Sequence, residues 1–278
     1  MATSPLAPLP LRTGRLRLPQ GTVFWHEAGS GETLVFLHGS WDDSTQWLAV
    51  IQPLAAGWHC LAPDLLGFGE SSRPKVAYSV ALEVDYLRQF LATLRITRCV
   101  LVAHSLGAWV ALRYALSYPE QVQGLVLLEP EGVATAAERG RWRQDRWLAA
   151  RFSPLPGLIT LLAPILSVLG HKPRLRELRR RRQRLRRAPA ACRILFQRRW
   201  ADIEAERVRL PLPRANLPIL VLAAAPDPEA NQLTQTFLQG QPEAQHHRLP
   251  TAPTHLGVEA PAVAAAMQHW LTEVDPLP

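Results

Sequence analysis

The chain alternates between short apolar runs of strand length and longer segments whose apolar residues return every three or four positions. Residues 14–28 (GRLRLPQGTVFWHEA) alternate on either side of a Pro-Gln-Gly turn, which predicts an antiparallel hairpin at a sheet edge. Thr33–Leu37, Val122–Leu128 and the run Pro218-Ile219-Leu220-Val221-Leu222 are largely apolar throughout, the pattern of parallel strands covered on both faces. The segment from Trp47 to Ala55 reads as a helix and His59 to Ala62 as a short strand. From Val80 to Leu94, the four-residue spacing of Leu82, Tyr86, Phe90 and Leu94 predicts a longer helix. A strand, a tight turn and a helix follow one another over 99–117. After Glu129 the rhythm breaks until Pro218. It then resumes with a helix from Pro228 to Gln239, a short strand at His247 to Leu249, a loop over 250–255 and a C-terminal helix from Pro261 to Val274. Strands alternating with helices in this way specify an α/β fold, a mostly parallel central sheet flanked by helices.

A chain of 278 residues with 47% hydrophobic positions is long enough for one sizeable core. Cys60, Cys99 and Cys192 lie far apart with no C-x-x-C spacing, so they read as buried thiols of a reducing, cytoplasmic compartment rather than as zinc ligands or disulfides. The N-terminal stretch MATSPLAPLPLRTGRLRL has prolines in its apolar part and its basic residues afterwards, the reverse of a signal peptide, and reads as a flexible lead-in.

Charge changes the picture. The net +8 is unevenly spread: residues 139–209 hold 20 Lys and Arg against 5 Asp and Glu, while the remainder holds 11 against 18. An acidic body carries a basic insertion. Only Lys75 and Lys172 are lysines.

The candidate chemistry centres on Val100-Leu101-Val102-Ala103-His104-Ser105-Leu106-Gly107-Ala108, in which one serine stands between two tiny residues where an apolar strand gives way to a helix. A sharp strand-to-helix turn exposes a nucleophile and demands small neighbours two residues away on either side. Ala103 and Gly107 meet that demand, although the common form of the signature has glycine at both places. The alternative for this fragment is an ordinary helix start capped by the serine hydroxyl.

These residues, together with His38-Gly39, the loop Asp64-Leu65-Leu66-Gly67-Phe68-Gly69-Glu70-Ser71-Ser72 and the run Thr254-His255-Leu256-Gly257-Val258-Glu259-Ala260-Pro261, resemble the α/β-hydrolase superfamily over roughly 20–132 and 215–275. The resemblance implies an α/β-hydrolase core formed by 1–132 and 213–278, with a helical, Arg-rich cap inserted over 133–212. It makes Ser105 the nucleophile, His255 the general base and Asp227 the acid that orients His255, in the order Ser, Asp, His. Glu129, which ends the strand after the nucleophile helix, is the competing acid. The backbone N–H groups of Ser40 and Leu106 would receive the oxyanion, the latter at a helix N-terminus. His38 reads as structural, and His246 and His247 as surface residues. A serine nucleophile argues against the haloalkane dehalogenase and epoxide hydrolase branches, whose elbows carry aspartate. The expectation is a serine hydrolase cleaving carboxylic esters of apolar, lipid-like substrates. A thioesterase, an acyltransferase, a carbon–carbon bond hydrolase and a silent binding protein remain open as alternatives. No phosphate loop, dinucleotide fingerprint or metal cluster is present in the sequence, so no cofactor and no metal are expected.

Within the insertion, LPGLITLLAPILSVLG (155–170) is apolar and HKPRLRELRRRRQRLRR (171–187) is densely basic. Sixteen residues interrupted by Pro156 and Pro164 are too few for a transmembrane helix, which needs about 20. One reading is a lid whose apolar part lines the substrate pocket. Another is peripheral contact with an anionic membrane through 155–187. The absence of interleaved aromatics argues against nucleic acid. Leu175, Leu178 and Leu185 form a thin apolar stripe that places this helix on a surface.

Overall fold

Successive side chains of a buried strand face opposite sides of its sheet, so a fully apolar strand needs helices on both sides. In a computed structural model, which describes residues 10–134, 146, 180–183, 185–213, 217–223, 228–249 and 256–273, that requirement is met around a sheet of eight strands. These are β1 (Arg12–Leu18), β2 (Gly21–Ala28), β3 (Thr33–Leu37), β4 (His59–Pro63), β5 (Cys99–His104), β6 (Val122–Leu128), β7 (Ile219–Ala223) and β8 (Gln245–Arg248). Their order is β1-β2-β4-β3-β5-β6-β7-β8. The β1–β2 hairpin and the β2–β4 pair are antiparallel, and the remaining pairs are parallel.

Helices with defined bounds include α1 (Leu48–Leu54), α2 (Val80–Thr93), α3 (Leu106–Ser117), α4 (Pro189–Leu195), α5 (Trp200–Glu206), α6 (Pro228–Gly240) and α7 (Leu256–Glu273). Val100 and Val102 of β5 join Phe36, Val126 and Leu222 in a core closed by Trp47 and Ile51 on one side of the molecule and Met267 and Trp270 of α7. Leu101 and Ala103 face the other way, into a larger core that takes in Tyr86 and Phe90 of α2 and Trp109 of α3. This alternation fixes register. Leu37 of β3 pairs with Ala103, and Ala103 with Leu127, so β3, β5 and β6 end level with one another. The residues that follow them open onto one edge, the carboxyl edge where parallel sheets place their chemistry.

The long segment between β6 and β7 is tied at its base. Val133 and Val208 form a parallel bridge, with the Ala134 N–H donating to the Val208 carbonyl (2.9 Å) and the Val208 N–H to the Gly132 carbonyl (2.8 Å). Glu206 accepts from the Val80 and Ala81 N–H groups at 3.3 and 3.2 Å, which puts a carboxylate on the positive end of α2. The Trp109 indole N–H donates to the Glu206 carbonyl at 2.9 Å. Buried Ala190, Ala191, Ile194 and Leu195 of α4 join the larger core.

Three expectations shift. β8 spans Gln245–Arg248 rather than His247–Leu249, and all four of its residues are exposed, so backbone pairing with β7 defines it rather than apolar pattern. The C-terminal helix begins at Leu256, not Pro261, and runs through that proline because burial of Val263, Ala264, Met267 and Trp270 outweighs one missing backbone hydrogen bond. Leu185 is buried in the larger core while Arg186 and Arg187 are exposed, so the stripe at that point packs inward; Leu175, Leu178 and the apolar run 155–170 lie outside the described residues. The three cysteines are free and buried. Burial pushes the Cys60 and Cys99 thiols up to about 12, which leaves them protonated and unreactive. Among the described residues, no helix is long and apolar enough to cross a membrane.

Glu83 is the unusual member of the core. It is fully buried on α2, accepts the Leu66 N–H at 2.9 Å, and its carboxyl is pushed up from 4.5 to about 8 by desolvation. Between those values the folded chain holds a proton that the unfolded chain has released. This contribution is therefore complete at low pH, is lost as pH rises, and levels off above about 8. In urea unfolding followed from pH 5 to 8, wild type should lose stability relative to Glu83→Gln by up to about 1.4 kcal/mol per pH unit; a flat difference would rule out a neutral buried carboxyl.

Candidate active site

Ser105 sits between the last residue of β5 and the first of α3 with φ 50° and ψ −113°, a conformation that side-chain-bearing residues avoid. Strain of this kind costs about 1–3 kcal/mol and persists only where the surroundings enforce it. Here they do. The Ser105 N–H donates to the Leu128 carbonyl at 3.0 Å, continuing the β5–β6 ladder through the turn. The Ser105 carbonyl accepts from Ala108 at 3.0 Å and Trp109 at 3.2 Å, starting the helix. Ser105 itself stays half-buried while its flanks Ala103 and Leu106 are fully buried.

The small residues around it are required sterically. A Cβ on Gly107 would stand 2.5 Å from the Leu37 carbonyl oxygen and 2.7 Å from that of His38, so the first turn of α3 lies directly against the end of β3. A Cβ on Gly39 would stand 2.6 Å from His104 Nδ1. The 38–40 loop is thus packed onto the serine turn from two directions. Ser40 and Leu106 are both buried beside it, and no hydrogen bond involves either N–H among the described residues. These are the two groups expected to receive an oxyanion.

His38 holds this loop in place. Its ring is fully buried, with Nδ1–H donating to the Gly39 carbonyl (2.9 Å) and Nε2 accepting from the Leu65 N–H (3.0 Å). Desolvation lowers its pKa, so the neutral ring serves as a structural strut. Asp64, also buried, does the same work for the adjoining loops. Its Oδ1 accepts the Ser44 N–H and its Oδ2 the Glu70 N–H, each at 2.7 Å. Ser71 closes the 64–72 loop by donating to the Asp64 carbonyl at 2.8 Å. Gly69, at φ 44°, leaves room for the Asp64 carboxylate, into which a Cβ would run.

Glu129 follows β6 with φ 47°. Its Oε2 lies 3.4 Å from Nε2 of His104, the residue before the serine, so this carboxylate is engaged by the nucleophile strand. Asp227 and His255 lie outside the described residues. From the sequence-based set, the structure puts Ser105 and Leu106 on one turn, packs the loop carrying Ser40 against the preceding His104 through Gly39, and sets Glu129 against His104 as well. His246 and His247 are exposed on β8. Sequence reading missed Gln46, whose amide reaches both Gly39 and His104; no signal in the local run Asp-Ser-Thr-Gln-Trp points to it. A polar cavity of about 520 Å³ opens between the 41–46 and 64–73 loops, with Phe68 and Arg187 on its walls. Ser105 does not line it. Among the described residues, no cluster of three or more His, Cys, Asp or Glu is arranged to hold a metal ion.

A model of the Alpha/beta hydrolase family matches residues 34–267. Among curated proteins, an uncharacterized protein of Mycobacterium tuberculosis is 42% identical over 106 residues, which cover 38% of this chain and 31% of that protein. A 2-hydroxymuconate semialdehyde hydrolase of a Pseudomonas species is 38% identical over 119 residues, covering 41% of this chain and 42% of the relative. These matches span less than half of each relative's length. Among solved structures, a haloalkane dehalogenase variant from Bradyrhizobium elkanii superimposes with a TM-score of 0.69 at 19% identity, covering 96% of this chain and 98% of its own, a likeness of fold.

The strain at Ser105 is measurable. Glycine adopts φ 50° without the steric penalty, so Ser105→Gly should be more stable than Ser105→Ala by about 1 kcal/mol in denaturant titrations. Equal stability of the two variants would mean that the turn is relaxed in solution.

Proposed function

The chain belongs to the alpha/beta hydrolase family, and from that premise we propose that it is a serine hydrolase of carboxylic esters with an apolar, lipid-like acyl or alcohol part. The observation that carries the reading is a serine, rather than an aspartate, held at φ 50° on the turn between β5 and α3. A serine oxygen attacking an ester carbonyl breaks the ester C–O bond, the alcohol leaves with the proton held by the imidazolium, and water then hydrolyses the acyl-enzyme to free acid and serine. An aspartate at the same turn would serve displacement at carbon instead.

In the proposed cycle Ser105 attacks after His255 takes its proton. Asp227 orients His255 and stabilises the imidazolium. The N–H groups of Ser40 and Leu106 receive the developing oxyanion, and each such donor is worth about 3–4 kcal/mol in the barrier. Asp227 is favoured over Glu129 as the acid because the Glu129 carboxylate already engages His104 at 3.4 Å. The segment over 133–212 acts as the cap that selects substrate. Exposed Arg180, Arg186 and Arg187 support a basic outer face on it, suited to an anionic lipid surface.

p-Nitrophenyl esters of increasing acyl length should be hydrolysed with a preference for medium to long chains, and Ser105→Ala, with folding matched by circular dichroism, should lose at least about 10³-fold in kcat. Turnover that survives in Ser105→Ala, or wild-type turnover of thioesters or carbon–carbon substrates alone, would replace the ester reading. In flotation assays the protein should co-migrate with anionic vesicles at low salt and be released at high salt; indifference to vesicles would restrict the basic segment to a lid.

A further inference from the structure

Gln46 occupies a place that the proposed cycle does not use. It lies on a 3-10 turn, Ser44–Trp47, that is anchored on several sides. Asp43 caps it by accepting the Thr45 N–H at 3.0 Å. The Ser44 N–H is held by Asp64 Oδ1 at 2.7 Å, and the Ser44 hydroxyl lies 3.0 Å from His26 Nδ1. Trp47 is fully buried against Phe36, with ring centroids 5.5 Å apart. The Gln46 side chain therefore projects from a fixed base.

What it reaches is the loop and the strand that the cycle depends on. Gln46 Oε1 accepts the Gly39 N–H at 2.9 Å, one residue before Ser40. Gln46 Nε2 lies 3.5 Å from His104 Nδ1, and His104 Nε2 lies 3.4 Å from Glu129 Oε2. One tautomer satisfies every contact. Gly39 donates to Gln46, Gln46 donates to His104, and His104, protonated on Nε2, donates to the Glu129 carboxylate. All donors point the same way and the series ends on a negative charge, which polarises each link toward the next. The His104 ring also fills the space beneath Gly39, where a Cβ would be only 2.6 Å away.

We propose that Gln46 is a positioning residue for the oxyanion pocket, tying the Gly39–Ser40 loop through His104 and Glu129 to the strand end that carries Ser105. The inference rests on the serine-hydrolase reading and deepens it. The two proposed donors come from different elements, Ser40 after β3 and Leu106 at the start of α3. Stabilising one oxygen requires their spacing to be set before the reaction, since misplacement on the scale of an ångström can cost about 10²-fold. The Gly107 contact with Leu37 and His38 fixes how closely the two elements approach. The Gln46 link fixes the His38–Gly39 peptide, one unit before the peptide that carries the Ser40 N–H, whose Gly39 carbonyl His38 holds.

Because Gln46 would act on a transition-state interaction and touch no substrate, its loss should lower kcat and leave KM nearly unchanged. The test compares wild type, Gln46→Met and Gln46→Glu on the best p-nitrophenyl ester, with thermal unfolding recorded for each. Gln46→Met keeps the side-chain length and removes both links; kcat should fall about tenfold with KM within about twofold. Gln46→Glu keeps an acceptor for the Gly39 N–H and should recover part of that loss. An unchanged kcat in Gln46→Met, or a fall no smaller in Gln46→Glu, overturns the proposal. So does a fall that merely tracks lost thermal stability. If Gln46→Met does not fold, His104→Phe keeps a ring beneath Gly39 and removes the receiving nitrogen, and the same kcat-against-KM split decides. An inactive wild type would overturn the serine-hydrolase reading and the proposal with it, whereas an active wild type with an indifferent Gln46 overturns the proposal alone.

Discussion

A serine backbone held at φ 50° is unfavourable wherever it occurs, and the architecture around Ser105 amounts to a set of contacts that leave it no alternative. The ladder from β6 takes its N–H, the first turn of α3 takes its carbonyl, and the carbonyls at the end of β3 press against Gly107. Each of these contacts requires β3, β5 and β6 to end level. That in turn follows from alternating apolar side chains that allow only one register between two separate cores. The local strain and the global packing are thus one constraint seen at two scales. Slippage of a single strand would reverse its faces and remove the support under the turn.

The polar groups near this edge divide into those that hold backbone and those left for chemistry. His38, Asp64 and Ser71 have their hydrogen-bonding capacity directed at loop amides and carbonyls, and all three are buried. They turn two loops into fixed walls. Glu129 and His104 engage each other at the strand ends, half-shielded from solvent. Glu83 stands apart, a carboxyl kept neutral by burial and used to hold the Leu66 amide.

Much of this arrangement was legible in the sequence because it depends on local signals. Continuous apolar runs marked β3, β6 and β7, small residues marked the serine turn, and glycines at 67 and 69 marked a loop that needs positive φ. The failures have physical causes. Edge strand β8 has no buried face and so carries no apolar pattern. Pro261 reads as a helix start, yet the buried side of α7 holds the helix together through it. Leu185 sits among arginines that read as a solvated face, and only the tertiary packing shows that it points inward. Gln46 was invisible because its importance arises from Gly39 and His104, the latter 58 residues away along the chain.

The bridge between Val133 and Val208 gives the long segment after β6 a common doorway into the fold. A detour whose two ends are clamped side by side transmits little of its own length to the sheet, because closing a longer loop adds only about 0.6 kcal/mol for each doubling. Such a junction lets the outer segment be rewritten in size, charge and greasiness while the strand ends beneath it keep their spacing. In this chain, the same junction separates a basic insertion from the acidic scaffold that carries the serine turn.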